Sequence, residues 1–473
     1  MNIEHVEKSY QELESDSTLQ NLIAQANARY ILYNTEESKE NFPRYTIKDE
    51  QLNILAFKYL NIGCNYFSEH NYLKASHSLE KGALILEYIH GSIHIQTKNK
   101  KLFCLISALS YYVCFQYSKA FILIGKLESD TMISSLVSLF LNRKFDQLLS
   151  EIDKLITNSS YGDEYLAEHF EEDNATKIYE IIIAKSLNYY VQFYQTGNKD
   201  FLEIAKKDLV NLQEVAAMRG EPDVWWVIRL LLLIIDGFKE SSLWYVLGNY
   251  FNTEDKLPLK YIQSLVYKNG SITELFLTQR NSLPKVLNNK QGSIVSIPTS
   301  SGKTRIGEIA ILNCLLNEPK AKILFIAPYR SLAYEIENSF DEIFSNLDVS
   351  VSHLYGGSLF SKLDERIIDE SSVIVATPEK AKALFRSNED ILSCIKLVII
   401  DEGHLLGTDK RLIVNEMFYE ELKYHVKANG GRFLLLSAVL PNAEDLSEWL
   451  TDSTDNVYKE NWRPSDERIG IME

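Results

Sequence analysis

The feature that most constrains the fold is a change of rhythm near residue 290. From there on, short apolar runs of strand length alternate with longer amphipathic segments. These runs are SIVSI (293–297), KILFIA (322–327), SVSHLY (350–355), SVIVAT (372–377), KLVIID (396–401) and RFLLLSA (432–438). Apolar strands that alternate with helices predict a parallel sheet covered by helices on both faces. Ligands of such sheets bind outside the carboxyl ends of the strands, so the residues that follow each run are the candidates for a site.

The preceding part of the chain has a helical pattern instead. Between about residues 45 and 250, apolar and aromatic residues recur every three or four positions, with few prolines or glycines. Two stretches repeat each other at fixed offsets: Gly63, Tyr66, Tyr72 and Ala75 in the first, and Ala108, Tyr111, Tyr117 and Ala120 in the second. The first stretch resembles a tetratricopeptide repeat, although any stack of helical hairpins is an alternative, and no third copy is predicted. Both alternatives predict a helical domain of the kind that binds proteins.

The bulk composition narrows the classes of function. The formal net charge is -16, so contact with nucleic acid would need a local basic groove rather than a global field. The five cysteines include no Cys-x-x-Cys pair, which argues against a zinc ribbon. The most apolar run, Val224 to Ile235, is too short to span a bilayer and predicts a buried helix, so no membrane association is expected. The polar start of the chain does not predict a signal peptide, and we expect a cytoplasmic protein.

A phosphate-binding loop is predicted directly after the first strand. PTSSGKT (298–304) lies between a strand and a helix, and its small residues let successive backbone N–H groups face phosphate oxygens. Lys303 would reach the β- and γ-phosphates of a nucleotide, and the Thr304 hydroxyl would bind Mg²⁺. The remaining residues predicted to cradle the phosphates are Thr299, Ser300, Ser301 and Gly302.

Two adjacent carboxylates follow the fifth strand, in LVIIDEGHLLG (397–407). Such a pair repels itself unless water or a cation compensates the charge. Asp401 is predicted to hold Mg²⁺, and Glu402 to orient and deprotonate the water that attacks the γ-phosphate. The simpler alternative is an exposed acid pair that opens a helix, where acids favour the N-terminus. That alternative does not account for a GKT loop in the same sheet.

Taken in order, PTSSGKT, APYRSLAYE, ATPEK, DEGH and SAVLPN resemble the motor motifs of superfamily 2 helicases of the DExH branch. The tail SAVLPNAEDLSEWL (437–450) and NWRP (461–464) resemble the Ski-two-like group. The resemblance covers roughly residues 272–473 and implies a RecA-like domain that binds ATP and Mg²⁺. One departure is SAV where SAT is commoner, which removes a hydroxyl from a coupling contact.

The resemblance also implies roles for residues outside the phosphate loop. Gln279 matches the glutamine that reads the adenine edge, which an amide can do because it both donates and accepts hydrogen bonds. His404 and Ser437 match residues that couple the nucleotide site to the nucleic-acid site. The residues expected to hold one nucleic-acid strand are Arg330, Gly356, Gly357, Thr377 and Pro378.

The expected organisation is an N-terminal segment (1–45), a helical domain (46–270) and a first RecA-like ATP-binding domain (271–473). A helicase of this kind closes two RecA-like domains on one ATP, and the second supplies arginines that stabilise the transferring phosphoryl group. We expect that second domain to be absent from these 473 residues, so this chain alone should bind ATP weakly and hydrolyse little.

The leading hypothesis is an ATP-dependent helicase or translocase on single-stranded nucleic acid, with DNA favoured over RNA. Its helical domain would dock a protein partner. The architecture resembles that of prokaryotic defence systems such as Hachiman, in which a Ski-two-like helicase is paired with a nuclease. The alternatives are an RNA-remodelling helicase of the exosome-cofactor kind and a non-motor adaptor that binds nucleotide and uses its helical repeats.

Overall fold

The structure, a computed structural model, describes residues 3–34, 48–91, 100–127, 131–158, 172–354, 362–387, 390–405, 410–438 and 440–463. It contains two compact units, Met1–Glu240 and Ser241–Glu473. The expected start of the RecA-like domain, residue 271, lies inside the second unit. The domain limits inferred from the sequence stay a prediction.

Each regular element described in the first unit is a helix. Its helices are α1 (Ile3–Ser15), α2 (Ser17–Asn34), α3 (Asp49–Ser68), α4 (Tyr72–Gly91), α5 (Lys100–Val113), α6 (Tyr117–Gly125), α7 (Met132–Leu141), α8 (Phe145–Asn158), α9 (Glu172–Thr196), α10 (Asp200–Arg219) and α11 (Pro222–Ser241). The buried helix predicted at Val224 to Ile235 is confirmed as part of α11. Within the described ranges, none of the helices combines the length and apolar character needed to cross a bilayer.

Three helical hairpins share one type of turn. The turns between α3 and α4, α5 and α6, and α7 and α8 each contain one residue with left-handed backbone, namely His70 (φ 59°), Phe115 (φ 64°) and Arg143 (φ 55°). In each turn, that residue and the next donate their N–H groups back to the last turn of the preceding helix. The third hairpin was not predicted, because Leu136 and Leu148 replace the small residues that mark the first two.

Glycines allow the first hairpin to pack closely. A Cβ atom at Gly63 of α3 would lie 2.5 Å from Cγ of Leu79 and 2.9 Å from its backbone nitrogen. A Cβ atom at Gly82 of α4 would lie 2.8 Å from Cγ of Leu60. The two helices therefore approach each other through the positions where side chains are missing.

Replacing Gly63 by alanine is expected to lower the free energy of unfolding by about 1–3 kcal/mol, because the methyl group overpacks this contact. Urea unfolding followed by circular dichroism measures the change. The matched control is Gly125→Ala in α6, where no described atom lies within 4 Å of the added carbon. There, alanine should be neutral or stabilise by up to about 1 kcal/mol through helix propensity. Equal stability of the two variants would contradict the close packing.

His90 of α4 gives the first unit a defined pH dependence. Burial, with smaller contributions from Lys100 and Lys126, lowers the pKa of His90 to about 4 from its ordinary value of 6.5. The unfolded chain therefore takes up a proton at a higher pH than the folded chain. Stability that is complete above pH 6.5 is lost as the pH falls toward 4.

Between pH 7 and pH 5, His90 should cost the folded protein about 2 kcal/mol. His90→Gln is expected to lack this term, so its unfolding free energy relative to the parent should rise by that amount at pH 5. Urea unfolding at both pH values measures the difference. A constant difference between the two proteins would mean that the imidazole is already solvated.

The second unit is built on a seven-stranded parallel sheet with the order β3–β4–β2–β5–β6–β1–β7. Its strands are β1 (Gly292–Ser296), β2 (Lys322–Ile326), β3 (Val351–Leu354), β4 (Val373–Ala376), β5 (Ile395–Ile400), β6 (Arg432–Ser437) and β7 (Val457–Lys459). Its helices are α12 (Leu243–Gly248), α13 (Lys256–Tyr267), α14 (Leu277–Asn288), α15 (Lys303–Asn317), α16 (Arg330–Phe344), α17 (Lys362–Glu370), α18 (Pro378–Ser387), α19 (Asp390–Cys394), α20 (Lys410–Ala428) and α21 (Ala443–Thr451).

The predicted fold class, a helical N-terminal region followed by a RecA-like parallel sheet, is confirmed. All six predicted strands are present with bounds within one residue of those expected. The short strand β7 was missed, because it is three residues long, half-exposed, and paired on one side to β1 alone. An edge strand of this kind leaves no run of apolar residues in the sequence.

Candidate functional site

The carboxyl ends of the parallel strands form one edge of the sheet, and the order of the strands divides this edge into two halves. Strands β5, β6 and β1 are neighbours: the acid pair follows β5, Ser437 is the last residue of β6, and the phosphate loop follows β1. Strands β3, β4 and β2 form the other half. Because all the strands are parallel, the described motifs that follow them fall on the same edge, with the predicted nucleotide motifs on one half and the predicted strand-binding motifs on the other.

The phosphate loop (298–304), whose last two residues begin α15, has a backbone that only certain residues adopt. Ser300 and Gly302 lie in the left-handed region, at φ 66° and φ 75°. A Cβ atom on Gly302 would lie 2.1 Å from Nε2 of Gln279, so a glycine is required there. Thr299 and Ser300 are exposed, whereas Ser301 is buried and its hydroxyl has no partner among the described residues. The loop is thus curled with two side chains open to solvent.

Gln279 clamps this loop to the start of α14. Its side-chain oxygen accepts the N–H of Phe276 at 2.8 Å, and its Nε2 donates to the carbonyl of Gly302 at 3.0 Å. Gln279 is 5% exposed. The described contacts of this glutamine are with protein backbone, and its role in reading adenine stays a prediction.

The acid pair meets the loop lysine at the centre of the edge. Nζ of Lys303 lies 3.2 Å and 3.3 Å from the two carboxylate oxygens of Glu402. Nδ1 of His404 lies 3.0 Å from Oε2 of Glu402. Glu402 itself has left-handed backbone (φ 52°), and its N–H donates to Oδ1 of Asp401 at 2.9 Å. These contacts place Glu402 between a lysine and a histidine, with Asp401 beside it.

Asp401 has a raised pKa, because its ionised form is unfavourable in this site. Burial first, and the neighbouring charge of Glu402 second, raise the pKa of Asp401 to about 6. A divalent cation beside this carboxylate would oppose the shift, because it compensates the negative charge of the acid pair. Carboxylate and hydroxyl oxygens are the donors that Mg²⁺ prefers, so Asp401 and Thr304 fit this ion chemically.

The described strand-binding candidates lie on the other half of the edge. Arg330 is exposed at the first turn of α16, which follows β2. Thr377 and Pro378 follow β4, and both are buried. Gly356 and Gly357 lie outside the described residues. The structure thus brings the predicted nucleotide residues together and leaves the described strand-binding residues on neighbouring strand ends.

Two features of the site were not predicted from the sequence. Ser296, the last residue of β1, hydrogen-bonds to the backbone beyond β6. Arg305 and Glu308 of α15 form a buried network with Tyr261 of α13. The sequence signal for the role of Ser296 was a polar residue in a strand that is buried along its whole length. The second had no local signal, because Tyr261 is distant in sequence.

Comparison with known proteins agrees with this geometry. Residues 277–446 match the family model described as DEAD/DEAH box helicase. The second unit contains a DEAD/DEAH box helicase domain. The matched range begins at α14 and ends in α21, so the helicase domain includes the phosphate loop, the acid pair and Ser437.

Two groups of relatives share more of the sequence. The Hachiman protein HamB of Bacillus cereus is 41% identical over 474 residues, which is 100% of this chain and 42% of that protein. The ATP-dependent DNA helicase Hel308 of Thermococcus kodakarensis is 33% identical over 218 residues, covering 46% of this chain and 18% of that protein. The chain thus spans less than half the length of these relatives.

Solved structures resemble the helicase domain more weakly. The DUF1998 helicase MrfA bound to DNA is 19% identical, with a TM-score of 0.36 over 42% of this chain and 29% of that one. A likeness at this level has no bearing on substrate or partner.

Proposed function

We propose that this chain provides the first motor domain of an ATP-dependent helicase or translocase that moves on single-stranded DNA and acts in anti-phage defence. One observation carries the proposal: Lys303 of the phosphate loop lies 3.2 Å from Glu402 of the acid pair, at one sheet edge. Phosphoryl transfer needs positioning and charge stabilisation more than covalent chemistry, and this pair supplies both.

Each residue has a task that follows from its chemistry. Lys303 gives up its contact with Glu402 and neutralises the β- and γ-phosphates, helped by the N-terminus of α15. Glu402 orients the attacking water and accepts its proton, and His404 holds the carboxylate in place. Asp401 and Thr304 hold Mg²⁺, which, when bound, offsets phosphate charge. Residues 299–302 supply backbone N–H groups to the phosphates.

The nucleic-acid strand is assigned to the other half of the edge. Arg330 is exposed there, and Thr377 lies at the N-terminus of α18, where backbone N–H groups favour phosphate oxygens. DNA is favoured because the Hel308 relatives are named DNA helicases. Gly356 and Gly357 remain assigned to this strand by resemblance alone.

The defence role and the partner rest on likeness to HamB, a Hachiman protein. The first unit stacks helical hairpins, an architecture whose common use is protein contact. We assign it the docking of a protein partner, with a nuclease as the first candidate to test.

The experiment that tests the proposal is nucleotide binding by Lys303→Ala. Loss of the lysine removes the charge that meets the phosphates, and affinity for a fluorescent ATP analogue with Mg²⁺ should fall by about tenfold or more. The matched control is Lys290→Ala, which removes an exposed lysine two residues before β1 and should leave affinity unchanged. Equal affinity in all three proteins would contradict the proposed site.

The parent protein is also used to test whether the bound strand is DNA or RNA. Labelled single-stranded DNA and RNA of equal length are titrated in parallel at fixed salt, because affinity depends on salt concentration. Binding of DNA in preference to RNA supports the proposal. Preference for RNA would favour an RNA-remodelling helicase.

A further inference from the structure

Ser296 is a buried polar residue at the junction of β1 and the phosphate loop, and it is 1% exposed. Its hydroxyl donates to the carbonyl of Ala438 at 3.3 Å and accepts the N–H of Leu440 at 2.9 Å. The backbone pairing of this region with β6 ends at Ile297, whose N–H donates to the carbonyl of Ser437 at 3.2 Å. The hydroxyl therefore continues the pairing where the backbone ladder stops.

The backbone of Ser296 holds a second segment. Its carbonyl accepts the N–H of Glu460 at 3.2 Å, just past β7. The Glu460 carboxylate in turn accepts the N–H groups of Asn461 at 2.9 Å and Trp462 at 3.3 Å. The Trp462 ring lies 6.2 Å from the ring of Phe276, whose N–H binds Gln279. Ser296 thus touches both the residues after β6 and the segment after β7.

Ser437 depends on this arrangement. It is fully buried, and its hydroxyl has no hydrogen-bond partner among the described residues. Ile297 binds the Ser437 carbonyl, and the Ser296 hydroxyl binds the backbone of Ala438 and Leu440, which follow it. Removing the Ser296 hydroxyl would leave the N–H of Leu440 buried without this hydrogen bond, which is unfavourable. Local movement of Ala438 and Leu440 would relieve that cost.

We propose that Ser296 is a positioning residue that couples nucleotide binding at the phosphate loop to nucleic-acid binding, through the backbone of Ala438 and Leu440. This inference rests on the proposed function. Ser296 directly precedes the loop that binds phosphates, so displacement of the loop is passed to the residues that flank Ser437. No comparison assigns a role to this serine.

The test is the coupling ratio, the affinity for a labelled single-stranded DNA with a non-hydrolysable ATP analogue and Mg²⁺ divided by the affinity without them. Typical coupling between two sites is about 5–150-fold. The parent chain should fall in that range, and Ser296→Ala should bring the ratio below about threefold. Nucleotide affinity measured alone should stay within about threefold of the parent value.

Two variants separate positioning from loss of structure. Ser296→Thr keeps the hydroxyl and should retain the parent ratio, whereas a merely structural defect would not be rescued in this way. Ser293→Ala removes another buried serine of β1 and should also retain it. A parent-like ratio in Ser296→Ala would overturn the inference.

Hydrogen exchange of the parent chain tests the idea without any substitution. Nucleotide binding should slow exchange of the Leu440 amide, which donates to Ser296. Unchanged exchange in a chain that binds nucleotide would overturn the inference and leave the proposed function standing. A parent chain that binds neither nucleotide nor oligonucleotide would contradict the proposed function instead.

Discussion

In the presence of a second RecA-like domain, replacing Glu402 by glutamine is expected to lower DNA-stimulated ATP hydrolysis by about 10²–10⁴-fold, because the amide keeps the shape of the side chain but cannot accept a proton. Affinity for ATP and Mg²⁺ should hold or rise, since Lys303 is no longer paired with a carboxylate at 3.2 Å. Phosphate release under single-turnover conditions measures the first quantity, and a nucleotide titration measures the second.

The control for this result is Glu421→Gln, an exposed acid on α20, which should keep full activity. A Glu402→Gln protein that retained more than a third of the parent rate would mean that another group takes the proton. It would also revive the adaptor hypothesis if the cellular function of the chain survived the same substitution.

Replacing Glu308 by leucine is expected to destabilise the second unit by about 3–5 kcal/mol, because it leaves the buried Arg305 guanidinium without its carboxylate partner. Glu308 is 1% exposed, pairs with Arg305, and accepts the hydroxyl of Tyr261 at 3.1 Å. Burial raises the pKa of the Glu308 carboxyl, and Arg305 and Tyr261 oppose that rise. Urea unfolding followed by hydrogen exchange of the strand amides measures the loss.

A variant that removes both charges tests the physical reason. The combined variant Arg305→Met with Glu308→Leu should be more stable than Glu308→Leu alone, because it removes both charges. The comparison pair is Lys268 and Glu342, which lie 3.0 Å apart with Glu342 half-exposed, and whose removal should cost under about 1 kcal/mol. An equal cost for the buried and the exposed pair would rule out the desolvation argument.

The sheet and the nucleotide half of its edge could be predicted from sequence for a physical reason. Strands buried on both faces need continuous apolar runs, and parallel connections place every strand end on one edge. The contact between Lys303 and Glu402 follows from that rule together with the chemistry of the two side chains. Neither the sheet nor the contact between Lys303 and Glu402 required knowledge of how helices distant in sequence pack together.

Other features depend on contacts that no local pattern records. Tyr261 meets Glu308 only because α13 packs on α15. The hairpin of α7 and α8 was missed because Leu136 and Leu148 replace the small residues that mark the other two, while its turn is set by backbone hydrogen bonds around Arg143. The bonds of Gln279 to Phe276 and Gly302 were not predicted, and its role in reading adenine stays a prediction.

The strand order β3–β4–β2–β5–β6–β1–β7 also has a genetic consequence. Alleles that change residues after β1, β5 or β6 should impair ATP hydrolysis, and alleles that change residues after β2, β3 or β4 should impair binding to single-stranded DNA. A saturation library scored separately for the two phenotypes would then sort into two blocks, ordered by spatial position and interleaved along the gene.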